Sequence, residues 1–474
     1  MSAPKKRRIG SILRWLIAIV GITYVLWNIR FHDRVRVITP GPDFQVSEVR
    51  VWNDAGEKDA TFVIDADQRT VLRSDLWTLP DRKTVETADP QQSGKTRKWK
   101  LIAVRPAGDL PSPAVELLVE DGDSKQRQII PPAAVVTRDP IRVTYPLVEV
   151  GVSRMVREAD WSFLAVAILL MPLSYLLTSY RWHVLLKSQQ IRIGMARTFV
   201  INMVGAFYNS FMPGSTGGDL AKAYYASKYS EHRTRAILTV VVDRIIGLLA
   251  LFVLGGVLAA FQWHVPECRK VAIAAGIVVT ATAAGLLVFY TPALRRGTGL
   301  DWLLGKLPMQ KQVGQAVHAM ELYGKQPRVI IWAFLCSFPV HVTTILSATM
   351  SGQAFHLPLS PLYYWVIVPV IALVGAIPIS PQGAGVMEFF AVQLTIHRGV
   401  TVAQAVALVM SIRLVTIFWN VLAGIFVLKG GYHAPTEAEQ HELEDDGKEA
   451  DTGSVPRPAP ATNDVVAADK GKPT

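Results

Sequence analysis

The stretch NSFMPGSTGGDLAKAYY, residues 209–225, decides how the apolar part of this chain is organised. It follows directly on an apolar run, interrupts that run with a proline and three glycines between Pro213 and Gly218, and then presents the carboxylate of Asp219. Proline removes a backbone donor and glycine permits a positive φ, so the stretch predicts a break in a helix. Why an acidic side chain stands at this break depends on the surrounding sequence.

The composition is that of a protein that crosses a membrane several times. Of the 474 residues, 50% are hydrophobic and 18% are charged, and the mean hydropathy is +0.27. The net charge of +11 does not indicate a nucleic-acid partner, because the basic residues lie in short clusters between apolar runs. Two cysteines and isolated histidines predict neither a disulfide framework nor a metal site, and we expect no cofactor.

Apolar runs of about the 20 residues that a membrane-crossing helix needs follow one another along the chain. The first, about 12–27, comes after a basic N-terminus; because no small-x-small cleavage site follows, it predicts a retained anchor and not a cleaved signal peptide. Two further runs, 197–213 and 361–379, end in Gly/Pro breaks. The other predicted full spans are 161–180, 236–261, 271–290, 329–350 and 402–428.

Residues 31–155 differ from the rest of the chain. Short runs rich in Val and Ile alternate with turn residues, which predicts a small all-β module. A loop of this length translocates largely regardless of its charge, so we place the module on the outer face, as a binding or spacer domain without chemistry of its own. The predicted domains are 1–30 (basic segment and first helix), 31–155 (β module), 156–430 (transmembrane domain) and 431–474 (disordered cytoplasmic tail).

The distribution of Lys and Arg predicts two re-entrant elements. Both loops that flank 197–226 are rich in basic residues and are therefore cytoplasmic by the positive-inside rule, so this segment must enter and leave the membrane on one side. By the same reasoning 361–397, with PISPQGAGVMEFF at 378–390, re-enters from the outside. Irregular backbone at membrane depth is tolerated only where it is buried in protein or lines a cavity. Six full spans then place both termini in the cytoplasm.

The two breaks resemble each other. When the second break is aligned with the first, Gly214 falls on Gly383, Asp219 on Glu388 and Arg244 on Arg413. Each half thus has a glycine, an acid five positions later and an arginine at the same interval beyond the acid. With three full spans between them, the two elements would be inverted repeats. Broken helices that meet near the bilayer midplane in inverted repeats are typical of transporters.

We predict that Asp219, Arg244, Glu388 and Arg413 line one polar cavity. A charged side chain at mid-membrane costs on the order of 2.5–3.5 kcal/mol and usually pairs or faces water. Arginine matches phosphate through its planar fork, and free N–H groups at a helix start attract anions. Alternatively, Asp219 caps its helix and the arginines pair only with the acids. The predicted substrate-binding residues, none of them catalytic, are Asn209, Gly217, Gly218, Asp219, Lys222, Arg244, Gly383, Gly385, Glu388 and Arg413.

Several motifs resemble a known family. The stretch at 209–225 is similar to the transmembrane region of lysylphosphatidylglycerol synthases, a flippase-like integral membrane family with many stand-alone members. The resemblance covers about 160–428 and the first span. The β module departs from the family pattern, which has a very short connection there, and Lys222 stands near a position where the family favours arginine. Further motifs that carry it are RW at 181–182, VVVDRIIGLLAL at 240–251, IPISPQGAGVMEFF at 377–390, GV at 399–400 and SIRLVTIFW at 411–419.

The resemblance implies a polytopic α-helical protein of the bacterial inner membrane, with about six full spans and two re-entrant elements, that moves an anionic or polyprenyl-phosphate-type lipid between leaflets. Because about 45 polar residues follow the last span, we expect no aminoacyl-transferase activity. Two alternatives stay open: a membrane enzyme acting on a lipid-linked sugar or phospholipid, with the acids as general acid and base, or a scaffold for a partner lipid-modifying enzyme. A homo-oligomer is compatible with the sequence.

Overall fold

The computed structural model describes most of the chain from residue 30 onward. The breaks at 212–216 and 377–382 lie outside the described residues, as do most of the first span and the tail beyond Glu439. The described residues form two compact units: unit 1 contains 1–171, 255–273 and 342–418, and unit 2 contains 172–254, 274–341 and 419–474. Described stretches are 30–39, 44–51, 61–64, 69–72, 75–80, 82–88, 96–106, 112–136, 140–143, 145–211, 217–230, 233–299, 323–376, 383–395 and 398–436, with the single residues Val20, Thr23, Trp27, Val317, Glu321 and Glu439.

The N-terminal part of unit 1 is built from antiparallel strands. One sheet has the order β11-β1-β2 with β5 also beside β1, a second has the order β10-β8-β7-β6 with β9 beside β8, and β3 pairs with β4. The strands are β1 (Arg34–Thr39), β2 (Gln45–Arg50), β3 (Thr61–Ile64), β4 (Arg69–Leu72), β5 (Leu76–Trp77), β6 (Thr84–Ala88), β7 (Thr96–Pro106), β8 (Ser112–Asp121), β9 (Arg127–Ile130), β10 (Arg142–Val143) and β11 (Val148–Glu149).

The β strands form where the Val/Ile-rich runs predict them, and alternate side chains of β7 and β8 build the core of the larger sheet. Trp99, Leu101 and Leu117 are buried in it, and the Trp99 indole N–H donates to Thr87 Oγ1 at 2.9 Å. Charged side chains of the sheet are also paired. Hydrogen bonds from Arg127 and Lys100 hold the pKa of Glu120 below its usual value. The larger sheet therefore has a packed apolar core with paired polar groups at its edge.

Asp33 is one of the residues that connect the start of the β module to α1. The Asp33 carboxylate accepts the Gly151 N–H at 2.7 Å and lies 3.1 Å from Arg154 on α1. A side chain at Gly151 would meet the backbone of His32 at 2.5 Å, so the two segments touch at a glycine. Asp160 then caps α2, accepting the Ser162 N–H at 2.9 Å.

The remainder of the described chain is helical. Helices α2, α5, α6, α8 and α11 are long, and each is divided between the two units. The helices are α1 (Val152–Arg157), α2 (Trp161–Ser188), α3 (Met195–Phe211), α4 (Gly217–Ser227), α5 (Arg233–Ala260), α6 (Pro266–Tyr290), α7 (Pro292–Gly297), α8 (Pro327–Ala354), α9 (Pro361–Ala376), α10 (Val386–Thr395), α11 (Val402–Leu422) and α12 (Gly424–Gly430).

Within the described part of the chain, five helices are long and apolar enough to cross a membrane: α2, α5, α6, α8 and the continuous run α11–α12. These correspond to five of the six predicted spans; the first falls largely outside the described residues, although Val20, Thr23 and Trp27 are helical. Large apolar side chains on them face outward, for example Leu169 at 72% exposed and Leu428 at 87%. Apolar helices that bury so little in protein indicate a multi-pass membrane protein.

The residues after α12 continue into the structure of unit 2. Backbone groups of Tyr432 and His433 accept hydrogen bonds from Tyr208 and Tyr225, and Tyr224 donates to the Glu439 carboxylate. We name residues 431–436 together with Glu439 the strap. The first residues of the tail predicted to be disordered are therefore packed against α3 and α4, and residues from 440 onward lie outside the described part of the chain.

Candidate functional site

The acidic side chain at the first break forms an ion pair in unit 2. Asp219 stands in the first turn of α4, which begins at Gly217, and its Oδ2 lies 2.5 Å from Nη1 of Arg244 on α5. The two side chains are 26% and 32% exposed, so the pair is within reach of a small ligand. The structure thus brings together two of the predicted site residues that lie on different helices.

Glycines bring α3 and α4 into direct contact beside this pair. A side chain on Gly218 would overlap the carbonyl oxygen of Gly205, so only glycine fits. Asn209 Oδ1 accepts the Gly218 N–H at 2.9 Å and thereby satisfies one of the free donors at the start of α4. The structure therefore gives Asn209 the capping position that the alternative interpretation assigned to Asp219, whereas Gly217 and Gly218 are buried at this contact.

Lys222 belongs to a second, buried charge cluster in unit 2. Its Nζ lies 3.8 Å from Asp243 Oδ2 and 4.6 Å from the centre of the Trp182 ring. The other oxygen of Asp243 accepts a hydrogen bond of 2.7 Å from Arg181 Nε, and Arg181 Nη1 donates to Ser337 at 2.9 Å. Two cations thus share one carboxylate at positions that are almost fully buried.

Sequence reasoning missed this cluster. Of the charged residues in it, only Lys222 was predicted to bind substrate, and no role was predicted for Arg181 or Asp243. In the structure Arg181 is 5% exposed within α2, and the carboxylate of Asp243 is engaged by Arg181 and Lys222. The available signal was the Arg-Trp pair at 181–182, because a charge inside a continuous apolar run usually has a buried partner.

The second break carries the matching ion pair in unit 1. Glu388 stands in the first turn of α10, and its Oε1 lies 2.9 Å from Nη1 of Arg413 on α11. Its Oε2 accepts the Gly385 N–H at 2.8 Å, which satisfies a donor at the start of the helix. Unlike Asp219, Glu388 has no exposed surface, and Arg413 is 15% exposed.

The turn before α10 requires glycine. Gly383 and Gly385 have φ values of +70° and +81°, a backbone conformation that other residues rarely adopt. A side chain at Gly383 would also lie 2.7 Å from the Cα of Gly375 on α9, so the two segments touch at glycines as α3 and α4 do. These roles of Gly383 and Gly385 are structural: they let the chain turn and place Glu388 at the helix start.

The predicted site residues therefore fall into two groups, one in each unit. Asp219 pairs with Arg244 in unit 2 and Glu388 with Arg413 in unit 1, which matches the repeat found by aligning the two breaks. The expectation that both pairs face one cavity stays a prediction. His341, one of the isolated histidines, lies with Nε2 2.9 Å from the Gly247 carbonyl oxygen. Among the described residues, no group of three or more His, Cys, Asp or Glu could hold a metal ion.

Comparison with known proteins finds sequences similar to the helical part of the chain. The sequence model of the family described as "Lysylphosphatidylglycerol synthase TM region" matches residues 150–424, which contain both ion pairs and leave out the β module. A UPF0104 membrane protein of Methanothermobacter thermautotrophicus is 25% identical over 291 residues, 56% of this chain and 84% of that protein. A UPF0104 membrane protein of Pyrococcus horikoshii is 26% identical over 309 residues, 59% of this chain and 91% of its own length.

Proposed function

Because the chain belongs to the family of the lysylphosphatidylglycerol synthase TM region, we propose that it translocates an anionic or polyprenyl-phosphate-type lipid between the leaflets of the bacterial inner membrane. One observation carries the proposal. In each unit, an acid in the first turn of a short helix that follows a Gly/Pro stretch of the sequence is paired with an arginine. Ionisable groups within membrane segments are rare and generally serve a substrate or ion pathway.

The geometry of these pairs suits the binding of an anionic head group. The guanidinium of Arg244 is 32% exposed, so a phosphate can approach it while Asp219 remains solvated. Arginine can donate two parallel hydrogen bonds to a phosphate, and the start of α4 adds the favourable end of a helix dipole. In this proposal Arg244 and Arg413 exchange their carboxylate partners for the lipid phosphate during transport.

The short helices support the proposed re-entrant topology. Helices α4 and α10 have 11 and 10 residues, too few for the roughly 20 that cross a bilayer. Each packs against its preceding helix, α3 or α9, within a single unit. We propose that each pair enters and leaves the membrane on one side, and that the basic loops hold both termini in the cytoplasm.

We propose transport without covalent change of the lipid. Each candidate acid contacts an arginine, which is the residue that an anionic head group also requires. A membrane enzyme acting on lipids and a scaffold for a partner synthase are the competing outcomes of the test below. Nothing in the proposal requires a cofactor.

The test uses purified protein in liposomes with fluorescent phosphatidylglycerol. We expect fluorescent lipid of the inner leaflet to become accessible to dithionite, a quencher outside the vesicles, faster than in protein-free vesicles. Arg244→Gln and Arg413→Gln should abolish this acceleration, whereas Arg295→Gln, which removes half of an exposed pair with Glu321, should leave it unchanged.

Mass spectrometry of the same lipids separates transport from enzymatic change. Undiminished movement in both arginine variants would refute the assigned site, and unmoved, unmodified lipid would favour the scaffold.

A further inference from the structure

The buried pair in unit 1 has an unfilled hydrogen-bonding position. Glu388 Oε1 lies 2.9 Å from Arg413 Nη1, but the approach is poorly aligned, and among the described residues this oxygen has no hydrogen bond. The other nitrogen of the fork, Nη2, points at the sulfur of Met387 at 3.8 Å instead of at the carboxylate. The pair is therefore an ion contact in which Arg413 donates neither of the two hydrogen bonds that a bidentate fork provides.

Arg413 is the one cation that the described neighbours offer to Glu388. Helix α10 carries no other charged side chain, α11 carries only Arg413, and the titratable groups of α9 are the phenols of Tyr363 and Tyr364. Tyr363 donates to the Leu394 carbonyl oxygen and lies 4.8 Å below Arg398, so its hydroxyl is already engaged. The carboxylate at position 388 thus depends on a single guanidinium for its charge balance.

This dependence has a consequence for anion binding. If the phosphate of a lipid draws the Arg413 guanidinium away, an unpaired carboxylate remains with no exposed surface, which is strongly unfavourable. Buried carboxyl groups avoid that cost by taking up a proton. The unfilled position on Oε1 is where the proton would sit.

We propose that Glu388 is a proton-binding site and that capture of an anionic lipid by Arg413 is coupled to protonation of Glu388, one proton for each lipid. The inference rests on the proposed function. The carboxylate, the guanidinium, the incoming phosphate monoanion and the proton then sum to zero charge in the buried site. Asp219 is 26% exposed and can be solvated when Arg244 binds an anion, so the pair in unit 2 requires no proton.

The experiment is calorimetry of dioctanoyl phosphatidylglycerol binding to the full chain in detergent, at pH 7 in two buffers with different heats of ionisation. The difference in heat gives the number of protons taken up. We expect about one proton for each lipid bound at Arg413 and an apparent affinity of that site that falls about tenfold for each unit of rising pH. This measurement on the unaltered protein needs no variant.

Variants locate the proton. Glu388→Gln, which mimics the protonated group, should bind with almost no proton uptake and a flat pH dependence, whereas Glu321→Gln, which removes the exposed partner of Arg295, should retain the uptake of one proton. Binding without proton uptake in the unaltered protein would overturn this inference and leave the proposed function standing. Absence of any binding would overturn the proposed function and the inference with it. Uptake that persists in a folded Glu388→Gln protein would overturn the assignment to Glu388.

Discussion

Glu388 and Arg413 lie 2.9 Å apart with the carboxylate fully buried, whereas Asp219 and Arg244, separated by the same interval in sequence, lie 2.5 Å apart with about a quarter to a third of each side chain exposed. The same chemical pair therefore occupies two different environments. A buried pair is costly to break because the remaining charge is not solvated. An exposed pair contributes little to the free energy of unfolding. The two pairs should respond differently to the same kind of substitution.

Removal of one acid at a time measures this difference. Glu388→Gln should lower the free energy of unfolding by about 3–5 kcal/mol, because it leaves Arg413 without its partner. Asp219→Asn should cost only about 0–1 kcal/mol. Titration with a denaturing detergent, followed by helical circular dichroism, gives the comparison. A Glu388→Gln/Arg413→Met double variant serves as control and should regain part of the loss; equal losses in the two single variants would contradict the difference in burial.

Glycine at the contact of α3 with α4 can be tested against a glycine in open space. Gly218→Ala drives a methyl group into the Gly205 carbonyl oxygen and should force the helices apart. Gly276→Ala, on α6 with nothing within 4 Å, should be neutral or stabilise by up to ~1 kcal/mol through helix propensity. We expect Gly218→Ala to unfold at a clearly lower temperature in detergent. A Gly218→Ala protein as stable as the Gly276→Ala control would show that the contact tolerates a side chain.

The order of elements could be predicted from the sequence because its signals are local. Val/Ile alternation predicts β1, β2, β7 and β8, and long apolar runs predict the spanning helices. The interval from acid to arginine is the same at both breaks, but the sequence offered the pairing of each acid with its arginine only as the alternative to a shared cavity. Short strands such as β5 and β10, with two residues each, have too little pattern to be detected.

The partners of Lys222 could not be predicted, for a physical reason. Its cluster is built from α2, α4 and α5, and which faces of these helices meet depends on their rotation about their own axes. A helix that is apolar on all sides has no polar stripe from which that rotation can be read. The same applies to Asn209, whose cap on Gly218 depends on how closely α3 approaches α4.

The buried cluster around Asp243 gives a third prediction. Asp243→Asn would leave Arg181 and Lys222, both nearly buried, without a negative charge, so we expect a loss of about 3–5 kcal/mol. Adding Lys222→Met removes one of the two cations and should recover part of that loss, because the apolar chain can still pack on Trp182. Denaturant titration of the two variants measures both changes in the free energy of unfolding. A loss no larger than that of Asp219→Asn would mean that the cluster is hydrated.

The strap predicts a pH dependence that can be followed without a transport assay. Hydrogen bonds from Tyr224 and Thr436 lower the pKa of Glu439 to about 2. A folded pKa below the usual value of about 4.3 means that the bond contributes stability above pH 5 and loses it as the pH falls toward 2.

Comparison of the native protein with Glu439→Gln isolates this contribution. At pH 5 the native protein should resist limited proteolysis after α12 better than the variant, and roughly half of the difference should be gone by pH 3, because the protonated carboxyl then resembles the amide. Tyr224→Phe removes the donor and should behave like Glu439→Gln at pH 5. Equal proteolysis of the native protein and Glu439→Gln at pH 5 would show that the strap is held by its backbone contacts to Tyr208 and Tyr225, with Glu439 contributing nothing measurable.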